Sequence, residues 1–173
     1  MSVSKPFQTL FIKRSLLPVI SALCPPCLSR LDPPAAPCHN EAAILAFLDT
    51  PTGILARGYA YRSCGARVYG ISNGKQMIGA ALVKGLDEEP ACYDLQQFMI
   101  DQRFQNKGYG SEALRQILSV LCKEGRYNQV EVCVHRNNTA ALHLYQNAGF
   151  QDTGYIDESV PDCRNLMYRF PVR

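Results

Sequence analysis

The first pattern that predicts chemistry lies in residues 98–114, which read F-M-I-D-Q-R-F-Q-N-K-G-Y-G-S-E-A-L. An apolar strand leads into a glycine loop, and the loop opens a helix. Because Gly108 and Gly110 lack side chains, the main chain of residues 105–111 can close around an anion and direct unpaired N–H groups at it, with the helix dipole adding to the attraction. The spacing Q-x-x-G-x-G differs from those of nucleotide P-loops and dinucleotide folds. We therefore expect a pyrophosphate site, with neither ATP nor NAD as its first candidate ligand.

A second spaced group follows about thirty residues later, in N-T-A-A-L-H-L-Y-Q-N-A-G-F from Asn138 to Phe150. One helix face carries Asn138, Tyr145 and Gly149, because separations of four and seven residues are close to whole turns. Tyr145 therefore points along the same wall as Asn138. A phenol is protonated at neutral pH and can donate a proton to a leaving group. The alternative is a half-buried tyrosine that only packs on a sheet.

These motifs must be positioned by alternating strands and helices of an α/β fold with a mixed sheet. Apolar periodicity and turn residues predict the elements. The predicted strands cover residues 8–13, 66–72, 76–84, 91–100, 129–134, 154–158 and 165–170. The predicted helices cover residues 16–23, 40–48, 52–61, 111–124 and 138–148. The strands at 66–72, 76–84 and 91–100 form an antiparallel meander, whose first turn is Asn73-Gly74-Lys75.

The strand at 91–100 breaks its own alternation, because Leu95 is out of phase with Phe98 and Ile100. A β-bulge near Gln96 and Gln97 would restore a single inward face. A bulge also frees backbone groups from the ladder, which matters if a ligand pairs with this strand. The alternative is that the irregularity only adds twist.

Composition limits the class of protein. The chain has 173 residues, 47% of them hydrophobic and 19% charged, and we expect a single domain over 1–173 with a proline-rich loop at about 24–38. A net charge of +3 without a long basic run argues against nucleic acid as a partner. Eight cysteines are scattered, several of them in apolar runs, which favours a reducing cytoplasm over a disulfide framework. Residues 16–23 could pass for a short signal-peptide core but are too few to span a membrane.

Q-N-K-G-Y-G after F-M-I-D, followed by N-T-A-A-L-H-L-Y-Q-N-A-G-F, resembles the GNAT superfamily of acetyl-CoA-dependent N-acetyltransferases. Within it, the chain looks most like bacterial spermine/spermidine acetyltransferases. The resemblance implies a GNAT-type fold with splayed central strands and flanking helices, in which the pantetheine arm of acetyl-CoA, the co-substrate, lies between the strands at 91–100 and 129–134. It also implies that Tyr145 protonates the departing thiolate. The cofactor-binding residues that it implies are Phe98, Met99, Ile100, Gln105, Asn106, Lys107, Gly108, Tyr109, Gly110, Ser111 and Asn138.

The proton acceptor is left open by the sequence. The acceptor amine must be neutral to attack a thioester, so that something must remove its proton. Animal spermidine/spermine acetyltransferases have carboxylates at the two positions after the strand leucine, but this chain has Gln96 and Gln97. The candidates are Asp94, Tyr93 and His135, besides bulk solvent. Their structural alternatives are an ion pair for Asp94, a core position for Tyr93 and a strand cap for His135.

The acceptor is expected to be a polyamine or another small primary amine. Acidic turns at Asp87-Glu88-Glu89 and at Asp157-Glu158 with Asp162 would raise the local concentration of a cation. The competing hypotheses are a non-catalytic acyl-CoA-binding sensor module and an acetyltransferase acting on a protein or aminoglycoside amine. Homodimers are common in the superfamily, so a homodimer is a further possibility.

The proline-rich loop contains a set of potential metal ligands, namely Cys24, Cys27, Cys38 and His39. Their spacing is irregular, and adjacent Cys and His seldom bind zinc together. We therefore predict no metal site, and we interpret the segment as a loop that gates the acceptor.

Overall fold

The computed structural model describes residues 11–14, 51–74 and 76–171, and these form one mixed sheet with helices. The seven strands are β1 (Phe11–Arg14), β2 (Arg67–Ser72), β3 (Met77–Leu86), β4 (Cys92–Ile100), β5 (Gln129–His135), β6 (Gln151–Asp152) and β7 (Cys163–Arg169). The α-helices within the described residues are α1 (Pro51–Ala60), α2 (Tyr109–Glu124) and α3 (Thr139–Asn147). The strand order in the sheet is β1-β2-β3-β4-β5-β7-β6.

Strands β2 to β4 form the predicted antiparallel meander, and β1 pairs antiparallel with β2 at its edge. The β2–β3 turn has the residue types that such a turn needs: Gly74 has a φ of 86°, and Asn73 Oδ1 accepts a hydrogen bond from the Gln76 N–H at 3.1 Å. Strand β5 then runs parallel to β4, a connection that requires the crossover through α2. The final strands pair antiparallel, with β7 between β5 and β6. The predicted mixed α/β class is confirmed.

Helix α2 packs against the centre of the sheet through one apolar stripe. Its buried residues are the ones that the helical period predicts, namely Ala113, Leu114, Ile117, Leu118 and Leu121. Val130, Val132 and Val134 of β5 lie in the same core cluster as all of these residues except Ala113. The residues between the valines lie on the opposite face of the sheet. The helix ends where Gly125 takes a left-handed φ of 66°. This packing fixes the start of α2 at the end of β4.

One predicted strand is wrong. The sequence suggested a strand at residues 154–158, but the pairing with β7 ends at Asp152. Asp152 Oδ1 accepts a hydrogen bond from the Gly154 N–H at 2.9 Å, and Gly154 has a φ of 72°. A side-chain turn of this kind competes with the ladder for the backbone, so that the chain leaves the sheet here.

Other predictions lie outside the described residues: the helices at 16–23 and 40–48 and the proline-rich loop with its cysteines. None of the helices in the part of the chain that the structure describes combines the length and the hydropathy of a membrane span.

Candidate functional site

Strands β4 and β5 are paired only at their beginnings. Their parallel register consists of Tyr93 with Val130 and Asp94 with Glu131, and the ladder ends there. Beyond this point, which we call the splay point, the two strands separate. The remainder of β4 therefore has one edge paired with β3 and another edge that faces a gap. The predicted splay of the central strands is present.

A β-bulge lies immediately beyond the splay point. Val83 of β3 pairs with Leu95 and Leu82 pairs with Gln97, which leaves Gln96 as the extra residue. The bulge predicted near Gln96 and Gln97 is confirmed. The extra residue brings the apolar side chains before and after the bulge, Leu95 and Phe98, to the same face of the sheet.

Alternation along β4 determines which main-chain groups face the gap. The Asp101 N–H donates to the carbonyl oxygen of Ile78 at 2.8 Å. In an antiparallel ladder, residues two apart direct their main-chain groups to the same side. Met99 therefore points its groups at β3, whereas Phe98 and Ile100 point theirs into the gap. Of the three residues expected to offer backbone to a cofactor, the register leaves only Phe98 and Ile100 in position to do so.

The anion loop, residues 105–111, is anchored to the end of β4. Gln105 Nε2 donates to the Ile100 carbonyl oxygen at 2.8 Å. Asn106 and Gly108 have positive φ values of 56° and 82°, and such left-handed residues can turn main-chain N–H groups into one concavity. A Cβ on Gly108 would have no described neighbour within 4 Å, so the space beside this residue is open. Helix α2 has no side-chain N-cap, and its first N–H groups are left for a ligand.

Side chains around the anion loop support the loop itself. Lys107 Nζ donates to the Arg103 carbonyl oxygen at 2.7 Å. The half-buried Tyr109 ring packs edge-on against Phe104, with 6.3 Å between centroids, and Ser111 is exposed in the first turn of α2. A Cβ on Gly110 would stand 3.9 Å from Leu144 of α3, so that α2 and α3 lie side by side here. The loop presents mainly its backbone.

Helix α3 brings Asn138 and Tyr145 to the same side of the sheet. Asn138 is the N-cap of α3, and its Oδ1 accepts a hydrogen bond from the Ala141 N–H at 3.2 Å. Tyr145 is 5% exposed, and its ring lies 6.5 Å from that of Phe98 and 5.2 Å from that of Phe150. Burial raises the pKa of the Tyr145 phenol, so that it is protonated at neutral pH. Tyr145 is thus a neutral donor beside the gap-facing part of β4.

Asp94 lies at the splay point, on the face of the sheet opposite to α2. Its carboxylate is 3.6 Å from Lys84 Nζ, and Lys84 lies 4.4 Å above the centre of the Tyr61 ring. Burial raises the pKa of Asp94, and hydrogen bonding by Gln96 and the charge of Lys84 act against that rise. The ion pair suggested as the structural alternative for Asp94 is present.

Glu131 is the residue that sequence reasoning missed. It stands opposite Asp94 in the β4–β5 register, and together they form what we call the carboxylate pair. The Cys92 thiol donates to Glu131 Oε2 at 3.7 Å. Burial raises the pKa of Glu131, and the charges of Asp94 and Asp157 raise it further. Glu131 is one of several polar residues that alternate with valines along β5. Its position beside Asp94 becomes visible only from the register of β4 and β5, which are far apart in the sequence.

The other two candidate proton acceptors occupy structural positions. Tyr93 is buried under α2, where its hydroxyl donates to the Leu121 carbonyl oxygen at 3.3 Å and accepts from the Arg126 N–H at 3.0 Å. His135 Nδ1 accepts a hydrogen bond from the Asn137 N–H at 3.2 Å at the end of β5. Both match their structural alternatives, a core tyrosine and a strand cap.

The acidic turns are partly neutralised by their own neighbours. Asp87 accepts hydrogen bonds from Arg126 at 3.0 Å and from the Tyr127 hydroxyl, and Asp162 pairs with Arg136 at 2.9 Å. Asp157 accepts from the Ser159 hydroxyl at 2.6 Å. Among the described residues, no group of three or more His, Cys, Asp and Glu side chains is placed to hold a metal ion.

Comparison with known sequences identifies relatives for part of the chain. The model of the Acetyltransferase (GNAT) family matches residues 37–150. A spermine/spermidine N(1)-acetyltransferase of Bacillus subtilis is 35% identical over 63 residues, which are 36% of this chain and 41% of that protein. The N-alpha-acetyltransferase RimI of Mycobacterium tuberculosis is 31% identical over 86 residues, 49% of this chain and 52% of that protein. The chain thus matches about half or less of the length of these curated relatives.

Comparison of structures extends the likeness to nearly the whole chain. A GNAT family acetyltransferase from Elizabethkingia anophelis, solved with acetyl-CoA bound, superimposes with a TM-score of 0.63 at 15% identity, and the match covers 96% of this chain and all of that one. At this identity the likeness establishes the fold. The family match spans most of the chain and includes β4, the anion loop and α3. This chain therefore belongs to the GNAT family of acetyltransferases.

Proposed function

We propose that this protein transfers an acetyl group directly from acetyl-CoA to a primary amine, and that the amine is a polyamine or another small cationic amine. The observation that carries the proposal is the arrangement at the splay. The anion loop lies at the outer end of β4, main-chain groups of Phe98 and Ile100 face the gap, and the carboxylate pair lies at the splay point. One strand thus connects a site for a pyrophosphate with a site for an ammonium group.

Acetyl-CoA fits the residues that line this strand. The left-handed backbone at Asn106 and Gly108 and the N-terminus of α2, which has no side-chain cap, suit its pyrophosphate. The gap between β4 and β5 suits its pantetheine arm, whose amides can pair with main-chain groups of Phe98 and the N–H of Ile100. The Ile100 carbonyl oxygen is engaged by Gln105. Acetyl-CoA supplies an activated acyl group as a thioester.

The chain's own side chains would manage the two protons of the transfer. The carboxylate pair would attract the ammonium form of the acceptor and take its proton, and Asp94 is the member that the sequence identified. Tyr145 would give its proton to the thiolate that leaves. Its burial beside Phe98 supports this role, because a neutral phenol near the gap can donate a hydrogen bond.

The preference for a small cationic amine rests on two observations. The partial relative from Bacillus subtilis is named for spermine and spermidine. The splay point also holds the two carboxylates of the carboxylate pair, and beyond the effect of burial the charge of Asp157 raises the pKa of one of them, Glu131. Among the described residues, one cation, Lys84, is paired with them. A protein amine is the second candidate, because the partial relative from Mycobacterium tuberculosis is named for alpha-amino groups.

The described cysteines are free thiols, which supports a cytoplasmic location.

The proposal is tested by measuring CoA release from acetyl-CoA with spermidine, spermine, aminoglycosides, amino acids and a lysine peptide. Calorimetric titration of acetyl-CoA into the protein is run in parallel. Turnover with the polyamines is the expected result. Tight binding without turnover would favour a sensor module, and no binding would overturn the proposal.

A further inference from the structure

The carboxylate pair contains two possible proton acceptors, and their surroundings differ. We infer that Glu131 takes the proton from the ammonium group of the acceptor, whereas Asp94 is a positioning residue that remains ionised beside it. The inference rests on the proposed function and assigns one step within it.

Asp94 already has groups that stabilise its charge. Lys84 Nζ is 3.6 Å from Asp94 Oδ2, and only 14% of the Lys84 side chain and 17% of the Asp94 side chain are exposed. Gln96, the bulged residue, supplies a further hydrogen bond to Asp94. A carboxylate that is held by a cation and an amide donor gains less from a proton than one without them. Lys84 and Gln96 therefore favour the anionic form of Asp94, against the burial that raises its pKa.

Glu131 has the opposite environment. Its described hydrogen-bond donor is the Cys92 thiol at 3.7 Å, which is a weak donor. The charged groups that act on it from β4 and from the loop before β7 are the carboxylates of Asp94 and Asp157, and its partner on β7 is the uncharged Met167. A proton on Glu131 would relieve repulsion from both carboxylates. Burial raises the pKa of both carboxyl groups, and of the two only Asp94 has a cation beside it among the described residues. Glu131 is therefore the member whose negative charge no described cation supports.

Position along the gap agrees with this assignment. Glu131 is the last residue of β5 that pairs with β4, so it lies at the closed end of the gap. The next side chain on the same face is Cys133, which is exposed. Its pKa is raised to about 12 by partial desolvation, by the neighbouring Cys163 thiol and by the carboxylates of Asp157 and Asp94. Cys133 therefore stays a neutral thiol at neutral pH. At this end of the gap, Glu131 is the partly buried carboxylate that has no cationic partner among the described residues, whereas Asp94 is paired with Lys84.

The step is a simple proton transfer followed by acyl transfer. One proton of the R–NH3+ group moves to a Glu131 oxygen, and the freed lone pair attacks the carbonyl carbon of the thioester. The C–N bond forms, the C–S bond breaks, and the departing thiolate takes the proton of the Tyr145 hydroxyl. The nitrogen gives up its second proton as it becomes the amide, and that proton returns through water to the Tyr145 phenolate. Glu131 releases the first proton to solvent, so that one proton leaves per turnover.

The test compares Glu131→Gln with Asp94→Asn, using the most active amine of the panel and measuring kcat and KM from pH 5.5 to 9.5. We expect Glu131→Gln to lower kcat about 100-fold at pH 7, the usual size of a general-base effect. Its rate should climb with pH towards the pKa of the amine, because solvent then supplies the neutral form of the amine.

Asp94→Asn should keep the ascending limb of the pH–rate profile but move that limb to lower pH, because Glu131 loses a like-charged neighbour. Asp152→Asn, on strand β6 at the far edge of the sheet, is the matched loss of one charge.

Calorimetric binding of acetyl-CoA to each variant shows that it is folded, and Glu131→Asp serves as the partial rescue if Glu131→Gln does not fold. An unchanged pH profile in Glu131→Gln would overturn the inference. Loss of the ascending limb in Asp94→Asn instead would make Asp94 the base. If the unsubstituted protein turns over no amine, the proposed function fails and this step fails with it; turnover combined with an unaffected Glu131→Gln overturns this step alone.

Discussion

The anion loop and the carboxylate pair lie at opposite ends of one strand and are built in opposite ways. The loop presents main-chain groups, and its glycines and the left-handed Asn106 determine its shape. The carboxylate pair consists of side chains from two strands that meet only at their beginnings. A ligand site made of backbone tolerates most side-chain changes but no change in conformation. A site made of side chains should behave in the reverse way.

The largest effect is expected from a change of conformation in the anion loop. Gly108→Val would place a branched residue at a φ of 82°, a conformation that such residues avoid, and would change the course of the loop backbone. We expect the dissociation constant for acetyl-CoA to rise about 100-fold by calorimetry, equivalent to about 2.7 kcal/mol. Lys107→Ala is the matched side-chain change, and its expected effect is at most about 5-fold because Lys107 Nζ is engaged with the Arg103 carbonyl oxygen. Equal losses in the two variants would contradict the contrast between backbone and side chain.

Tyr145→Phe should affect chemistry and leave cofactor binding intact. The ring and its contacts with Phe98 and Phe150 remain, and only the hydroxyl is lost. We expect kcat to fall about 10- to 100-fold, with little change in the dissociation constant for acetyl-CoA. An unchanged kcat, measured under conditions where chemistry limits the rate, would remove Tyr145 from the mechanism.

The contrast between backbone and side chain also explains what the sequence could predict. The loop and α3 are contiguous motifs, and the burial stripe of α2 follows the helical period residue by residue. The bulge at Gln96 could be predicted because it breaks the alternation of its own strand. Glu131 could not be found in this way, since its importance arises from parallel pairing with Asp94, 37 residues earlier. The misplaced strand at 154–158 has a similar cause, because a local Asp152 turn outcompetes a non-local ladder.

Asn138→Ala distinguishes a capping role from a role in cofactor binding. The hydrogen bond from the Ala141 N–H to Asn138 Oδ1 predicts a loss of about 1 kcal/mol in the free energy of unfolding, which urea denaturation can measure. Asn138→Ser keeps an N-capping oxygen and is the control. If Asn138 is chiefly a cap, Ser restores both stability and acetyl-CoA binding. Loss of binding in a stable Ser variant would show direct contact with the cofactor.

The smallest expected effect is a gain in stability from Glu131→Gln. The pKa of Glu131 is raised from an ordinary value of 4.5 by burial and by like charges, so the folded protein binds this proton more tightly than the unfolded chain does. Below pH 4.5 both states are protonated and the ionised carboxylate costs nothing. As the pH rises through the elevated pKa, the native state alone bears the cost of the buried charge. Glu131→Gln removes that cost, and Gln can still accept a hydrogen bond from the Cys92 thiol. Tm should therefore rise by about 2 °C at pH 7 and show no gain at pH 4.

Asp94→Asn should raise Tm less, because this substitution also removes the ion pair with Lys84. A Tm that falls at pH 7 in Glu131→Gln would mean that this carboxylate stabilises the fold, and the proposed proton acceptor would then have to be a structural anion.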